Sequence, residues 1–297
     1  MHSELLNWFY QNKRNLPWRR GRTPYRVWVS EIMLQQTQVN TVIPYYKKWI
    51  KKYPTLKSFK ESNFDDVIKI WEGLGYYSRC HNMFNAAKLI NSTFPNNYND
   101  LINLPGIGDY TAKTILAIAF KKNFVGIDTN LERIGYRILG LKTKTKRNKK
   151  RVVEYLEKNQ CANNPGDYNE ALMDLGSSLC KASITYCNQC PLKKICKAYT
   201  SSSPILYPTP KVPKKIPIYD IAVSVVEYQN KILITKRQNK NFLPGLWEFP
   251  GGKIEKNETA TQAIIREVKE ETNLTVSNPI FLGNITHKYS HFGVNIS

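Results

Sequence analysis

Apolar residues recur at helical spacing through most of residues 1–200, which predicts a mainly helical N-terminal part. A short helix is predicted over residues 3–12, and a longer one begins at Ser30, whose hydroxyl can cap the first turn, and continues to Ile43. Residues 44–103 continue as amphipathic helices that two prolines interrupt. Strands are expected only beyond residue 216, where residues 221–227 and 231–235 are predicted to form a β-hairpin that turns at Gln229 and Asn230.

The segment 104–130 breaks the helical pattern at a glycine-containing turn and then resumes it. Gly106 and Gly108 follow a proline, block a continuous helix and permit positive φ. Asp109 opens the next helix, whose first backbone N–H groups lack helical partners and can bind phosphate. Asp128 directly precedes another helical pattern, where an aspartate is most often an N-cap. We hypothesise that the turn holds a nucleic-acid strand while this carboxylate acts on one of its sugars.

The positive charge is concentrated in one part of the chain, which carries a net +21 over 297 residues. Residues 1–216 contain 35 Lys and Arg against 15 Asp and Glu, whereas residues 217–297 contain 9 against 8. The length suits two domains, and the basic segment predicts a polyanionic partner. Residues 142–151, with seven cations, add general phosphate affinity but no sequence information.

Membrane spans and targeting signals are not predicted. No apolar run approaches the ~20 residues that a span needs, and the N-terminus lacks the layout of a signal peptide. We expect a soluble, cytoplasmic protein, associated with the nucleoid if its source is bacterial. In that compartment the six cysteines are not expected to form disulfides.

Four cysteines within 17 residues predict a metal site: Cys180, Cys187, Cys190 and Cys196. Zinc modules usually contain two short Cys-x2-Cys knuckles, and here only Cys187 and Cys190 have that spacing. All-thiolate ligation from one uneven loop favours a [4Fe-4S] cluster over zinc.

Polar residues interrupt the apolar pattern at further places. Glu31 lies in the first turn of the predicted helix, where the helix dipole alone can account for it. Residues 35–38 form an amide-rich run that suits contacts with base edges or insertion into a base stack, although a solvated face explains it as well. Tyr76 and Tyr77 follow a glycine turn beside the cation Arg79, and they can stack on bases or simply pack.

Together these motifs resemble the MutY family, the adenine DNA glycosylases of the endonuclease III superfamily. The resemblance covers residues 1–200 and is specific, since the turn and the cysteines alone would indicate only the superfamily. The matching strings are LPWR (16–19), TPYRVWVSEIMLQQTQV (23–39), GLGYYSR (73–79), LPGIG (104–108), IDTN (127–130), YNEALMDLG (168–176) and the cysteine spacing. The resemblance implies a helix-hairpin-helix fold, with a six-helix barrel module packed on an iron–sulfur helical module and the catalytic cleft between them.

The family removes adenine mispaired with 8-oxoguanine or guanine, and the resemblance implies roles for individual residues. Glu31 would protonate adenine N7 and then manage water, while Asp128 would stabilise or capture the sugar, with Tyr110 and Asn130 assisting. The adenine must leave the duplex to reach them. The residues that match the adenine pocket are Arg14, Trp18, Arg19, Leu34, Val39 and Glu170, and those that match the wedge near the damaged guanine are Gln36 and Tyr76.

One position distinguishes this family from the bifunctional members of the superfamily. Those enzymes use a lysine nucleophile in the hairpin helix, which forms a Schiff base. Tyr110 occupies its place here, and Lys113, one helical turn further along, does not match. We therefore predict base removal without an efficient strand-cutting step.

Beyond a proline-rich linker at 201–216, residues 252–274 resemble the Nudix box of MutT-type pyrophosphohydrolases, within a smaller α/β domain. Glu267, Glu270 and Glu271 share one helix face, which predicts a possible Mg²⁺ site. MutY proteins usually keep this fold without the glutamates and use it to recognise 8-oxoguanine. Either nucleotide hydrolysis is retained here, or the box serves as a structural scaffold.

The end of the chain favours the scaffold. Ser290 and His291 belong to a short loop that resembles the family's 8-oxoguanine-contacting loop. The box's last glycine is replaced by Asn273, which tolerates left-handed geometry better than most residues. The sequence stops five residues after the loop, where the family continues, so we expect an incomplete sheet, as in a truncated chain.

The resulting hypothesis is a monofunctional adenine glycosylase with a helical domain at 1–200 and a Nudix-like domain at 217–297. Its expected partner is double-stranded DNA containing A opposite 8-oxoguanine or G, bound by a monomer. Another mismatch or oxidised-base glycosylase is the nearest alternative, although the pocket residues around Glu170 argue against it. A Nudix nucleotide pyrophosphohydrolase tethered to DNA, and a DNA-binding protein without catalysis, also remain open.

Overall fold

A computed structural model describes residues 1–201, 203–210, 215–237, 246–289 and 292–297. The chain divides into two compact units, Met1–Lys211 and Val212–Ser297. The first is helical, and the second contains the strands. No helix in the described ranges is long and apolar enough to cross a membrane.

The first unit is built from short helices joined by turns. They are α1 (His2–Asn12), α2 (Pro24–Leu34), α3 (Val39–Lys52), α4 (Leu56–Lys60), α5 (Phe64–Trp71), α6 (Tyr77–Leu89), α7 (Tyr98–Ile102), α8 (Asp109–Ile118), α9 (Thr129–Leu139), α10 (Lys146–Lys158), α11 (Pro165–Ser178) and α12 (Lys197–Thr200).

Two hydrophobic cores divide this unit into modules. Helices α2 to α8 surround a core rich in aromatic side chains, where Trp28, Trp49 and Trp71 are fully buried. The second core joins α1 to α9, α10 and α11. Helix α11 also contacts α8, so the two modules meet along it. This arrangement confirms the two-module helical fold that the resemblance implies.

The predicted helix from Ser30 is wrong in both of its bounds. Helix α2 begins six residues earlier, because Thr23 caps it by accepting a hydrogen bond from the Arg26 backbone N–H and Pro24 suits its first position. Ser30 lies inside the helix, and its hydroxyl donates to the Val27 carbonyl. The amide-rich run is a turn between α2 and α3, not part of a helix.

The glycine turn between α7 and α8 has the predicted form. Gly106 adopts φ +78°, and a Cβ there would lie 2.9 Å from the Asn82 Cβ, so a larger residue would be both strained and crowded. Gly108 is extended at φ −93° and caps α8, with nothing within 4 Å of a Cβ added there. Positive φ is therefore needed only at Gly106.

The second unit is a small α/β structure. Its elements are β1 (Ile218–Val223), β2 (Glu227–Tyr228), β3 (Lys231–Ile232), β4 (Thr235–Lys236), β5 (Trp247–Glu248), β6 (Gly251–Lys253), α13 (Ala260–Thr272), β7 (Ile285–Lys288) and β8 (Gly293–Ile296). One sheet has the order β6-β1-β8-β7, with β1 parallel to β8 and antiparallel to β6. Helix α13 packs on this sheet through Ala263, Ile264 and Val268.

The predicted hairpin turn is confirmed. Gln229 and Asn230 both have positive φ, 50° and 58°, as a two-residue turn between antiparallel strands requires. The strands are shorter than predicted, since β1 ends at Val223 and belongs to the larger sheet.

Candidate active site

A cavity of about 250 Å³ lies in the helical unit and brings together the predicted catalytic residues and the residues that match the adenine pocket. The predicted residues that line it are Arg14, Trp18, Arg19, Glu31, Leu34, Val39, Tyr110, Asp128, Asn130 and Glu170. Thr37 and Gln38 of the amide-rich run also line it. The lining residues to which sequence reasoning gave no role in the site are Leu16, Val27, Ser30, Ile118, Met173 and Ser177. The walls come from both modules of the helical unit, so both modules must fold before the site exists.

Glu31 is a buried carboxylic acid in the wall of the cavity. It lies in the last turn of α2, where the helix dipole disfavours a negative charge, so the dipole explanation from sequence is wrong. Among the described residues its single hydrogen bond comes from the Tyr110 hydroxyl, which donates to Oε2 at 2.7 Å. Burial raises the pKa of Glu31 to about 7, with smaller contributions from the negative charges of Glu170 and Asp128, while the Tyr110 hydrogen bond opposes the shift.

Asp128 is both an N-cap and a wall of the cavity. Its Oδ1 accepts hydrogen bonds from the backbone N–H groups of Asn130 and Leu131, each at 2.8 Å. Its Oδ2 accepts a third from Asn130 Nδ2 at 2.7 Å. Three donors to one carboxylate fix its position and orientation. Glu31 and Asp128 thus face one space, the first as a buried acid and the second anchored by three N–H groups.

A network of three acids and three arginines supports the side of the cavity that α11 lines. The acids Asp167, Glu170 and Asp174 stand at i, i+3 and i+7 on α11 and therefore share one helix face. Asp174 is 2% exposed, and it accepts from Arg14 Nε at 2.6 Å and from Arg19 Nη1 at 2.8 Å. A buried carboxylate with two cationic donors fixes both arginines in place.

Glu170 has a second cation that sequence reasoning missed. Arg22 Nη2 donates to Glu170 Oε2 at 2.6 Å, and Arg22 Nη1 donates to Asp167 at 2.7 Å. Arg19 Nε lies 3.3 Å from the same Glu170 oxygen. Burial nevertheless raises the pKa of Glu170, and the two arginines oppose that shift. The helical spacing of the three acids was the signal that could have revealed the network.

The predicted DNA-contact residues lie outside the main cavity. Gln36 lines a neighbouring opening together with Glu31, Tyr110 and Asp128. Tyr76 precedes α6 in a left-handed conformation, with 38% of its surface exposed. Gly106 and Gly108 form the hairpin turn described above. Their contacts with DNA remain a prediction.

The four cysteines of the predicted cluster site are brought together. Cys180, Cys187, Cys190 and Cys196 line one small pocket, and the buried Arg137 donates from Nη1 to Cys180 Sγ at 3.1 Å. Among the described residues, no three His, Cys, Asp or Glu side chains are arranged to hold a single metal ion. A cationic donor aimed at one sulfur suits a thiolate ligand, so the donor set fits the predicted cluster.

The Nudix-box carboxylates lie on α13, and Arg266 engages several of them. Its guanidinium donates to both Glu258 oxygens at 2.9 Å, to Glu267 at 2.8 Å and to Glu270 at 3.4 Å. Asn273 caps α13 at φ 59°, the left-handed conformation expected of it. Burial raises the pKa of Glu271. Magnesium binding here stays a prediction, and the predicted contacts of Ser290 and His291 fall outside the described residues.

Two family models match the chain. Residues 29–159 match "HhH-GPD superfamily base excision DNA repair protein", and residues 218–297 match "NUDIX domain".

Curated relatives match along almost the whole chain. The chain is 36% identical to an adenine DNA glycosylase of Buchnera aphidicola subsp. Schizaphis graminum, over 98% of this chain and 84% of that protein. It is 33% identical to the adenine DNA glycosylase of Arabidopsis thaliana, over 97% of this chain and 54% of that protein. The adenine DNA glycosylase of Homo sapiens is 31% identical, over 97% of this chain and 64% of its own length.

Solved structures support the helical fold. A thermostable thymine-DNA glycosylase superposes with a TM-score of 0.62 at 26% identity, covering 67% of this chain and 94% of its own. A non-covalent endonuclease III–DNA complex superposes with a TM-score of 0.56 at 21% identity, covering 66% and 92%, which shows the shared fold alone.

Proposed function

Because the chain belongs to the adenine DNA glycosylase family of base excision repair enzymes, we propose that it removes adenine paired with 8-oxoguanine or guanine in duplex DNA. The observation that carries the proposal is the cavity in which Glu31 and Asp128 meet, one with its pKa raised to about 7 and the other held by three N–H donors. Hydrolysis of an N-glycosyl bond needs this pair: an acid for the leaving base and a negative charge for the sugar.

The first chemical step is protonation of the base. With a pKa near 7, Glu31 is protonated in a large fraction of molecules at neutral pH and can donate its proton to N7 of an extruded adenine. Protonation makes adenine a neutral leaving group, and the C1′–N9 bond breaks with its electron pair going to the base. The Asp128 carboxylate, held in place by its three N–H donors, stabilises the positive charge that develops on the sugar.

Water completes the reaction. After giving up its proton, Glu31 is a carboxylate that can accept a proton from the attacking water, which restores the acid form. The Tyr110 hydroxyl remains hydrogen-bonded to it and holds the carboxyl in place. The products are free adenine and an abasic site on an intact strand.

The arginine–acid network supports selection of adenine. Arg19 Nη1 is held by Asp174 and by the Arg14 carbonyl, so the orientation of the guanidinium at the cavity wall is fixed before DNA binds. Glu170 is fixed by Arg22 in the same way. These preset polar groups can hydrogen-bond the edge of a purine without reorganising.

We also propose that the reaction stops at base removal. Tyr110 stands at the position of the lysine nucleophile, and its hydroxyl is directed to Glu31. The nearest lysine in the hairpin helix, Lys113, pairs with Asp109 at 3.2 Å and with Glu157 at 3.7 Å. Borohydride reduction during turnover should therefore trap little protein on DNA, and efficient trapping would overturn the proposal of a monofunctional enzyme.

A [4Fe-4S] cluster is proposed for the four-cysteine pocket. Cys180, Cys187, Cys190 and Cys196 would supply the thiolates, and Arg137 would stabilise the charge on one of them. When bound, the cluster would hold the 180–196 loop against α9 and α12.

The direct test is incubation of the purified chain with four duplexes, followed by alkali cleavage of abasic sites. The duplexes carry A opposite 8-oxoguanine, A opposite G, A opposite T, and T opposite G. The proposal predicts cleavage at A in the first two only. Release of T from the T·G duplex without release of A would support another mismatch glycosylase instead.

The C-terminal unit has a second candidate function, nucleotide pyrophosphohydrolysis with Mg²⁺. It is favoured by one observation, the Nudix-box helix in which Arg266 bridges Glu258 and Glu267 and Asn273 takes the left-handed cap. Incubation with 8-oxo-dGTP and Mg²⁺ should then release pyrophosphate, and Glu270→Gln should abolish the release. An Asp128→Asn control should hydrolyse the nucleotide normally, and no release from the unmodified chain would leave the unit as a scaffold.

A further inference from the structure

Arg79 connects the two turns that carry Gln36 and Tyr76. It lies in the first turn of α6 and is 8% exposed. Its Nη1 donates to the backbone carbonyls of Ile32 at 3.0 Å and Met33 at 2.9 Å, and also to that of Gln35. One guanidinium therefore binds the last turn of α2 and the start of the amide-rich turn.

The other terminal nitrogen of the same guanidinium, Nη2, binds the second turn as well as the first. Arg79 Nη2 donates to the Gly75 carbonyl at 3.1 Å and to Thr37 Oγ1 at 3.1 Å. The Tyr76 ring lies over the guanidinium, 5.1 Å from ring centre to Cζ, and the Trp71 ring lies at 5.5 Å. Turns that are 40 residues apart in sequence thus share a single planar donor.

Both turns contain a strained residue next to an oxygen that Arg79 binds. Gln36 and Tyr76 have φ values of 55° and 50°, a left-handed conformation that is unfavourable for residues other than glycine. The carbonyls of Gln35 and Gly75 lie in the same peptide planes as the nitrogens of these two residues. Holding each carbonyl fixes the plane and so holds the strained residue that follows.

The positive charge of Arg79 is directed at backbone carbonyls. Within the described part of the chain, no ion pair joins Arg79 to a carboxylate, and its positive charge faces the C-terminal carbonyls of α2. Burial lowers its pKa to about 10, so the group is still charged at neutral pH. The sequence showed this cation only as a neighbour of two tyrosines that can stack on bases or pack, whereas in the structure its guanidinium is buried against backbone carbonyls.

We propose that Arg79 is a positioning residue that holds Gln36 and Tyr76 ready for insertion into the base stack of a mismatched duplex. The inference rests on the proposed function, because it takes these two side chains as the wedge that accompanies extrusion of adenine. Preset wedge residues lower the cost of distorting the duplex, since the strained conformations are already in place before DNA binds.

Arg79→Lys is the most informative substitution. It keeps the charge and so the general attraction to phosphate, but an ammonium cannot reproduce a planar fork that reaches both turns. Arg20→Lys, at an exposed position outside both turns and outside the lining of the cavity, is the matched control. Thr37→Val, which removes one bond to Arg79 Nη2, is a milder second variant in case Arg79→Lys does not accumulate as folded protein.

The experiment compares the full-length chain and its variants on two duplexes, one undamaged and one with A opposite 8-oxoguanine. The target adenosine carries a 2′-fluoro group that blocks base release. We expect Arg79→Lys to weaken binding to the mismatched duplex about tenfold, as the loss of one or two net hydrogen bonds would. Binding to the undamaged duplex should change less than about twofold. A 2-aminopurine in place of the target adenine should show less fluorescence gain on binding.

The outcomes separate this inference from the proposed function. If the unmodified chain fails to excise adenine, the proposed function fails first. If it excises adenine but folded Arg79→Lys keeps the ratio of the two affinities and the 2-aminopurine signal, the positioning role is wrong. A variant that merely loses stability would bind both duplexes equally weakly, which also contradicts the inference. Thr37→Val should shift the affinity ratio in the same direction, by a smaller factor.

Discussion

Replacing Glu31 by Gln should stabilise the protein at alkaline pH while abolishing base release. The carboxyl is buried, and its pKa rises from an ordinary value of 4.5 to about 7 in the folded chain. Gln has nearly the same shape, carries no charge and keeps an oxygen that can accept the Tyr110 hydrogen bond. The substitution therefore removes the cost of a buried charge with little change in packing.

The magnitude follows from the two pKa values. Between pH 4.5 and 7 the folded state binds a proton that the unfolded state has released, so the free energy of unfolding falls as pH rises through this range. By pH 8 the stabilisation that the bound proton gives the folded state is lost, and this loss is on the order of 3 kcal/mol. Glu31→Gln has no buried charge at any pH. Its free energy of unfolding should therefore equal that of the original chain near pH 4.5 and exceed it by about 3 kcal/mol at pH 8.

Urea unfolding at pH 5, 6, 7 and 8 measures this difference directly. Exposed Glu61→Gln is the matched control and should follow the original chain at every pH. The claim that the folded chain keeps the buried Glu31 carboxyl protonated would be refuted if the stability difference between Glu31→Gln and the original chain were the same at pH 5 and pH 8. Retained base release in the variant would refute its role as the proton donor.

Three further substitutions give expected outcomes. Tyr110→Phe removes the hydrogen bond that lowers the pKa of Glu31, so the alkaline fall in single-turnover rate should move up by about one pH unit; a fall at unchanged or lower pH would contradict this. Asp174→Asn leaves two arginines without their buried counter-charge and should lower the free energy of unfolding by about 3 kcal/mol, measured in urea; a loss below about 0.5 kcal/mol would show that the network is not structural. Cys187→Ser should reduce iron and sulfide to well below the roughly four of each expected per chain, whereas Cys161→Ser should leave both unchanged.

The sequence was sufficient to select two carboxylates that the structure brings into one cavity, because each stands in a specific string of residues. Local sequence patterns were a less reliable guide to the bounds of the helices. Glu31 was placed in the first turn of a helix, since Ser30 resembles a cap and the stronger start signal, Thr23 before Pro24, was overlooked. That error made a helix-dipole role look sufficient, and only the true helix bounds exclude it.

Long-range pairings could not be predicted in the same way. Arg22 pairs with Glu170 across 148 positions, and nothing near Arg22 distinguishes it from its neighbour Arg20. Arg79 stood out in the sequence only as a cation beside two tyrosines, and its contacts with the α2 carbonyls were not predicted. Which backbone carbonyls surround a guanidinium depends on how separate helices pack, and local sequence does not record that.

Single-turnover release of adenine by Asp128→Asn tests the central claim most directly. Asn is as good an N-cap as Asp, so α9 should keep its start while the negative charge at the cavity is lost. On a duplex with A opposite 8-oxoguanine we expect base release to fall about a thousandfold, with DNA affinity within about threefold of the original chain, while exposed Asp66→Asn behaves as the original. Base release by Asp128→Asn within about tenfold of the original rate would contradict a mechanism in which two acids in one cavity sever adenine from its sugar.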